Sequence, residues 1–344
     1  MTYPRLCFVG PMLNRHPGWV IAPGEVLAQS FQTMGYPVII TSSVLNRYRR
    51  MLDIMRTIIT CRRQIDIMCL QVYGGPSFVV EDMASWLGKR FGHRIILVLH
   101  GGNMPNFMAH YPQWTRRVLS RGEVICTPSP FLQHAVSLYG FNAEVIPNPI
   151  DLSQYPYRQR STLHPNLLWM RTFEPLYNPA MAMRVFARIK QTVPEARLVM
   201  GGQARGQEGE IEQMARDLGL SDAVRFVGFL DMAGKAREGN AADVFLNTNH
   251  VDNMPVSVVE ACAMGLPIIA TNVGGLPYLL TDGETGLLVP DDDDEAMSAA
   301  VQRLLQTPAL AAKLSAQGRA VAERSSWEVV RNQWEALFAR LHLA

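Results

Sequence analysis

Short, nearly continuous apolar runs alternate with longer stretches of helical period along the whole chain. In the first half the runs are residues 5–10 (RLCFVG), 37–42 (PVIITS), 65–73 (IDIMCLQVY), 94–100 (RIILVLH), 124–129 (VICTPS) and 143–148 (AEVIPN). The second half repeats the plan at 166–171, 196–202, 224–229, 243–248, 267–272 and 286–290. Strands that are apolar throughout are covered on both faces, as parallel sheets with crossover helices require. Helical patterns lie between the runs, for example at 24–34 and 78–91. The pattern predicts an α/β chain with two doubly wound parallel sheets.

At 344 residues the chain exceeds what one hydrophobic core usually supports. Residues 149–165 are rich in Pro and polar side chains and have no helical period, so the domain boundary is expected there. The expected division is an N-terminal domain over 1–155 and a C-terminal domain over 156–325. A last helix over 326–344 is expected to pack back toward the N-terminal domain.

Charge separates the halves. Residues 1–160 hold 16 Lys and Arg against 8 Asp and Glu, whereas residues 161–344 hold 16 against 22. Only the first half is a candidate for an anionic surface, and it contains no recognised nucleic-acid module. Within it, residues 45–64 carry Arg47, Arg49, Arg50, Arg56, Arg62 and Arg63 around an apolar stripe of Leu45, Leu52, Met55, Ile58 and Ile59. Two readings stay open: a crossover helix with its arginines in water, or a helix touching an anionic membrane. The five cysteines are odd in number and lack CxxC spacing, which argues against a disulfide framework or a zinc site. No apolar run approaches the roughly 20 residues of a membrane span, and the N-terminus lacks the layout of a secretion signal. The expectation is a cytoplasmic protein, with peripheral contact to the inner face of a membrane left open.

The segment 249–288 carries the chemistry. A strand ends at Asn247, a polar loop with Asp252 and Asn253 follows, and Pro255 opens a helix. Free N–H groups and the dipole at such a helix start favour an anion, which makes it a seat for a diphosphate. Glu260, eight residues beyond Asp252, is expected a little over two helical turns in, where a carboxylate can accept from ribose hydroxyls. Asp252 is placed to face sugar hydroxyls or a backbone donor. A helix start with a capping Asp and a solvated Glu is the bland alternative. The acids Asp291 to Glu295 suit capping rather than metal binding, because consecutive side chains point in different directions. Ser129 reads as a helix cap, since no paired base accompanies it.

This segment resembles the signature of the retaining family 4 glycosyltransferases, which have the GT-B fold and an acidic pair written E-x7-E. Glu260 matches the second acidic position, and Asp252 stands at the first, where the family usually has Glu. The resemblance extends over nearly the whole chain and implies two facing Rossmann-like domains with a deep cleft between them. It implies transfer of a hexose-type sugar, with retention, from a UDP-, GDP- or ADP-linked donor to an acceptor hydroxyl. A lipid-linked glycan or a polysaccharide precursor is the expected acceptor class, with no metal and no cofactor beyond the sugar-nucleotide substrate.

Residue by residue, the resemblance implies that Asn253, Met254, Pro255, Val256 and Glu260 bind the donor, with Gly202, Arg205 and Gly24 beside it. Arg171 is expected at the donor diphosphate, Asp252 at the hexose, and His100, ending a strand of the first half, near the donor sugar. The family's Lys some five residues after that Arg is missing, its place taken by Leu176, Tyr177 and Asn178. Tyr177, Asn178 or Arg205 is then expected to substitute for it. These departures motivate one rival, a donor-binding protein with little catalysis; a nucleotide-sugar epimerase of the same fold is a second, disfavoured by the E-x7-E-like segment. A dinucleotide dehydrogenase is disfavoured, because no G-x-G-x-x-G follows either first strand.

Overall fold

The computed structural model describes residues 3–13, 16 and 21–343 and divides into two compact units. Unit 1 comprises Met1–Pro149 with Glu328–Ala344, and unit 2 comprises Ile150–Trp327. In unit 1 the strands are β1 (Leu6–Val9), β2 (Val38–Thr41), β3 (Ile67–Val72), β4 (Arg94–Leu99), β5 (Val124–Thr127) and β6 (Glu144–Val145). All pair in parallel, in the order β2-β1-β3-β4-β5-β6. Unit 2 has β7 (Asn166–Met170), β8 (Arg197–Gly201), β9 (Val224–Phe226), β10 (Val244–Asn247), β11 (Ile268–Thr271) and β12 (Leu287–Val289). These are also parallel, ordered β12-β11-β10-β7-β8-β9.

Each apolar run of the sequence is therefore a strand, shortened by a residue or more at its ends. Every residue of β1, β3, β10 and β11 is buried, as expected where helices cover both faces. Both sheets reverse their winding once, between β1 and β3 in unit 1 and between β7 and β10 in unit 2. At such a switch point the crossovers leave in opposite directions and open a crevice beyond the C-terminal strand ends, where α/β sheets bind ligands.

The division falls at Pro149/Ile150, earlier than the boundary of 155 expected from composition. Ile150 exchanges backbone bonds with Ser325 (2.8 Å) and Trp327 (3.0 Å), and Tyr155 donates to Glu260, so the segment 150–155 is bound into unit 2. The last helix, Trp327–Leu343, lies on unit 1: Phe338 meets Phe31 edge-on at 5.0 Å, and Tyr36 donates to Glu335.

The helix Arg47–Thr60 covers its sheet with Ile54, Met55 and Ile58. The expected apolar stripe is thus divided: Met55 and Ile58 are buried, while Leu45, Leu52 and Ile59 are exposed on another face. Of the acids at 291–295, Asp293 caps the helix Asp294–Gln306, and Asp292 and Asp294 pair with Arg184. Ser129 caps the helix Pro130–Ser137 through Leu132 N–H.

Entry into unit 2 is secured by Arg160, whose side chain is wholly buried. Its guanidinium donates to the carbonyls of Gly239 (2.7 Å), Ala242 (3.0 Å), Arg158 (2.9 Å) and Met264. Asp243 lies 3.7 Å away and supplies the compensating charge. Replacing Arg160 with Leu takes its donors from all four carbonyls, of which Ala242 and Met264 still accept from Arg158, and leaves Asp243 without one of its two cationic neighbours. The expected cost is about 3–5 kcal/mol, by analogy with breaking a buried pair. Urea unfolding checks this, and an unchanged midpoint would contradict it.

Candidate functional site

At the switch point of unit 2, β7 runs directly into Arg171 and β10 into the loop 248–255. Arg171 donates to the Asp252 carboxylate, and its guanidinium also lies 4.0 Å from the centre of the Tyr177 ring. Asp252 accepts in addition from Asn249 Nδ2 (2.7 Å) and from the backbone N–H of Asn253 (2.8 Å). Arg171 and Asp252, expected separately at diphosphate and hexose, thus pair with each other. Gly202, at the end of β8, abuts Arg171: a Cβ there would stand 1.7 Å from the Arg171 carbonyl oxygen. Its role here is to let two strand ends meet.

The helix Val256–Ala263 starts after Pro255, which offers no side-chain cap. Its first turn leaves N–H groups for an outside acceptor, and Val256 at its start is half-buried while Asn253, Met254 and Pro255 are buried. Glu260 sits one turn into this helix, not two, because residues 252–255 are loop rather than helix. Its Oε1 accepts from Tyr155 Oη (2.8 Å) and Lys235 Nζ (2.7 Å). Lys235 stands on the helix Met232–Ala241, whose start is capped by Asp231. Neither Lys235 nor Tyr155 was singled out in the sequence. Lys235 one turn past a capping Asp was the available signal.

Several buried polar atoms at this edge lack a protein partner: Arg171 Nε, both side-chain polar atoms of Asn247, Asn249 Oδ1, Ser257 Oγ and Glu260 Oε2. Each such atom carries a desolvation cost of about 1–3 kcal/mol unless something bonds to it. They comprise donors and acceptors together, which suits a ligand rich in hydroxyl and phosphate groups. Of the residues considered as substitutes for the missing Lys, Asn178 is already engaged. It caps the helix Pro179–Thr192 and donates to Asp292. Tyr177 lies against Arg171, and Arg205 pairs with Glu174 at 3.4 Å.

His100 and Gly24 belong to unit 1, where Gln71 joins them. His100 Nε2 lies 2.7 Å from Gln71 Oε1, and the imidazole stacks on Tyr73 with centroids 5.1 Å apart. Gln71 Oε1 only accepts, so Nε2 carries the proton and Nδ1 is left as acceptor. Gly24, in the first turn of the helix Pro23–Thr33, makes room for Gln71: a Cβ there would stand 2.3 Å from the Gln71 amide. Part of the loop before this helix, residues 14–15 and 17–20, lies outside the described residues.

Burial lowers the His100 pKa to about 4, so the ring is neutral near pH 7. The unfolded chain takes up this proton near pH 6.5 and the folded chain only near 4. The stability linked to His100 is therefore fully present above about pH 6.5 and lost as pH falls toward 4, a change of about 3 kcal/mol. His100→Asn is expected to flatten that part of the pH–stability curve. Retention of the full acid dependence in the variant, or titration of the His100 ring above pH 6 by NMR, would contradict this placement.

Comparison with known proteins agrees with this geometry. Residues 161–321 match the model of the "Glycosyl transferases group 1" family. A phosphatidyl-myo-inositol mannosyltransferase of Mycobacterium leprae is 29% identical over 195 residues, covering 56% of this chain and 50% of that protein. A D-inositol 3-phosphate glycosyltransferase of Catenulispora acidiphila is 27% identical over 293 residues, covering 76% of this chain and 69% of the relative. The chain thus spans about half the length of the mannosyltransferase it matches. Among solved structures, sucrose-phosphate synthase from Thermosynechococcus elongatus superposes with a TM-score of 0.81 at 17% identity over 99% of both chains. Anabaena HepE in complex with UDP-glucose gives 0.76 at 16% identity over 98% of this chain and 100% of that one. At these identities the structures bear on fold alone, and the fold is GT-B. Over residues 161–321 the chain is thus similar to the group 1 glycosyltransferases, and its two sheets have the GT-B fold.

Proposed function

We propose that the chain transfers a hexose-type sugar from a nucleotide-diphosphate sugar to an acceptor hydroxyl, with retention at the anomeric carbon. The observation that carries this reading is the set of partnerless buried polar atoms around Arg171 and Glu260 at the unit 2 switch point. Relatives named for mannosyl and glycosyl transfer, and a fold neighbour solved with UDP-glucose, support sugar transfer from a nucleotide donor.

In this reading Glu260 Oε2 accepts from the ribose, and Lys235 and Tyr155 hold its other oxygen so that the carboxylate keeps its direction. The N–H groups in the first turn of the helix Val256–Ala263 and the Arg171 guanidinium receive the diphosphate. Asp252 gives up part of its hold on Arg171 and takes hexose hydroxyls. As the anomeric C–O bond to the diphosphate breaks, negative charge grows on the leaving phosphate, where Arg171 and the helix start stabilise it. The leaving phosphate oxygen takes the acceptor hydroxyl proton on the face it has just left, so configuration is retained. His100, neutral with Nδ1 free to accept, is assigned to sugar hydroxyls rather than to a charge.

A thermal-shift panel of UDP, GDP and ADP with their sugar conjugates tests the donor site. One nucleotide family is expected to raise Tm, by an amount corresponding to about 2.7 kcal/mol at a hundred times Kd. Glu260→Ala is expected to abolish the shift, and Arg171→Gln to lower donor turnover by roughly 10²–10³-fold. Absence of any shift at millimolar nucleotide would refute the reading. Binding without sugar transfer or donor hydrolysis would leave a donor-binding protein.

The outer face of the 47–60 helix favours one further element of the proposal, contact with an anionic membrane. Tyr48 and Leu52 are 63% and 64% exposed there, with Leu45 and Ile59 nearby and Arg49 and Arg56 between them. Such a face gains both apolar burial and attraction to anionic lipid. No helix among the described residues is long and apolar enough to cross a membrane. In flotation, the chain is expected to rise with phosphatidylglycerol vesicles and not with pure phosphatidylcholine, and Arg49→Glu with Arg56→Glu to stay at the bottom. Equal behaviour with both vesicles would remove this element.

A further inference from the structure

Unit 1 has a switch point of its own, between β1 and β3, and a cavity of about 250 Å³ lies at its C-terminal edge. Val9, Gly10 and Pro11 line it from the end of β1, and Leu70, Gln71 and Tyr73 from the end of β3. Ile54, Val80 and Ala84 make much of the remaining wall apolar, while Arg47 and Arg50 supply charge and Glu81 a carboxyl. The volume falls just below the roughly 300–1,000 Å³ of sites for drug-sized ligands. It suits a small molecule or the end of a longer one.

Two features of this cavity are costly without an occupant. Glu81 is 5% exposed, its Oε1 is 3.5 Å from the Tyr73 N–H, and its Oε2 has no protein partner. Burial raises its pKa to about 8, so near neutral pH Oε2 carries a proton with nothing to receive it. Arg50 is half-buried, and burial lowers its pKa. Its Nη1 is spent on the carbonyls of Val44 (2.9 Å) and Leu45 (3.1 Å), which fix the guanidinium in place. Arg47 donates to its neighbour Tyr48. Among the described residues, no carboxylate forms an ion pair with Arg47 or Arg50. Each guanidinium keeps further N–H donors, and a phosphate matches that fork geometry.

We infer that this cavity seats the acceptor, and that the acceptor is an aliphatic phosphomonoester. Its phosphate bonds to Arg47 and Arg50, its alkyl stem lies between Val9, Ile54, Val80 and Ala84, and the ester oxygen joining the two accepts from Glu81. The inference rests on the transferase reading for the word acceptor, but the site itself is defined by unit 1 alone. His100 is tied to the cavity wall through Gln71, so an occupant here lies within one side chain of the ring assigned to the sugar. A free alkyl phosphate and the headgroup of an anionic lipid share this chemistry.

Calorimetry on the full chain with hexyl phosphate, against inorganic phosphate and hexanol, tests the site. Hexyl phosphate is expected to bind, and each half-molecule to bind at least about tenfold more weakly. Arg47→Gln with Arg50→Gln is expected to lower affinity by roughly ten- to a hundredfold. Glu81→Leu is expected to weaken binding, while Glu81→Gln retains it, because an amide also donates. Val80→Phe, which fills the cavity from the helix Phe78–Arg90, is the second route should the Glu81 variants fail to fold. Phosphatidic acid vesicles that displace hexyl phosphate identify the lipid source, and failure to displace it identifies the soluble one.

Nucleotide binding is measured on the same preparations. Nucleotide bound with no hexyl phosphate at millimolar concentration, or hexyl phosphate bound equally by the arginine and Val80 variants, overturns the inference and leaves the transferase reading standing. Loss of the nucleotide signal in the wild-type chain is failure of that reading instead.

Discussion

Backbone and carboxylate crowd together at Asp252, and this crowding shapes the loop 248–255. The Asp252 side chain accepts from Arg171, Asn249 and the following N–H, and its carbonyl accepts from Gly275 N–H at 2.8 Å. A Cβ at position 275 would stand 1.6 Å from the Asn253 carbonyl oxygen, so the turn after β11 passes directly over the loop. The candidate site of unit 2 is referred to this point. Arg171 is aimed by it, the helix Val256–Ala263 starts from it, and Glu260 is carried one turn along that helix. Asp is one methylene shorter than Glu, which suits a carboxylate that must bond the N–H next to it while also reaching Arg171.

The two units apply the same rule with different chemistry. In each, the sheet reverses its winding at one place; partnerless polar atoms lie there in unit 2 around Arg171 and Glu260, and in unit 1 at Glu81. Unit 2 gathers an arginine, amides and a carboxylate held by Lys235, which together suit a polyhydroxylated diphosphate. Unit 1 gathers a neutral carboxyl, two arginines and apolar walls, which together suit an amphiphilic anion. The opposite charges of the two halves follow the same division.

Much of the fold was legible because strand period and burial are local properties. Every apolar run became a strand, since a segment apolar on both faces has no stable place except inside a covered sheet. Asp252, Arg171 and Glu260 were legible for a related reason: loops at strand ends are where chemistry can be placed, and the motif announces itself along the chain. The division falls at the near edge of the expected segment 149–165 rather than at 155, because Ile150 to Tyr155 read as linker. Their partners, Ser325 and Glu260, lie far along the sequence. The basic helix was half-read, because its outer apolar residues and its buried ones fall on different faces of one short helix.

The sequence by itself determined the two-sheet architecture, the order of strands and helices, and the acidic loop before the helix Val256–Ala263. These follow from side-chain periodicity and from what a strand end or helix start exposes. Only the tertiary structure decided the partners. Lys235 reaches Glu260 across 25 residues, Arg171 reaches Asp252 across 81, and Tyr155 reaches Glu260 across 105. It also decided that Glu81 is a buried acid facing a cavity rather than one more helix-surface carboxylate. The reason is topological: in a parallel sheet, residues far apart in the chain become neighbours at the strand ends through crossovers, and no local pattern records which crossover passes over which.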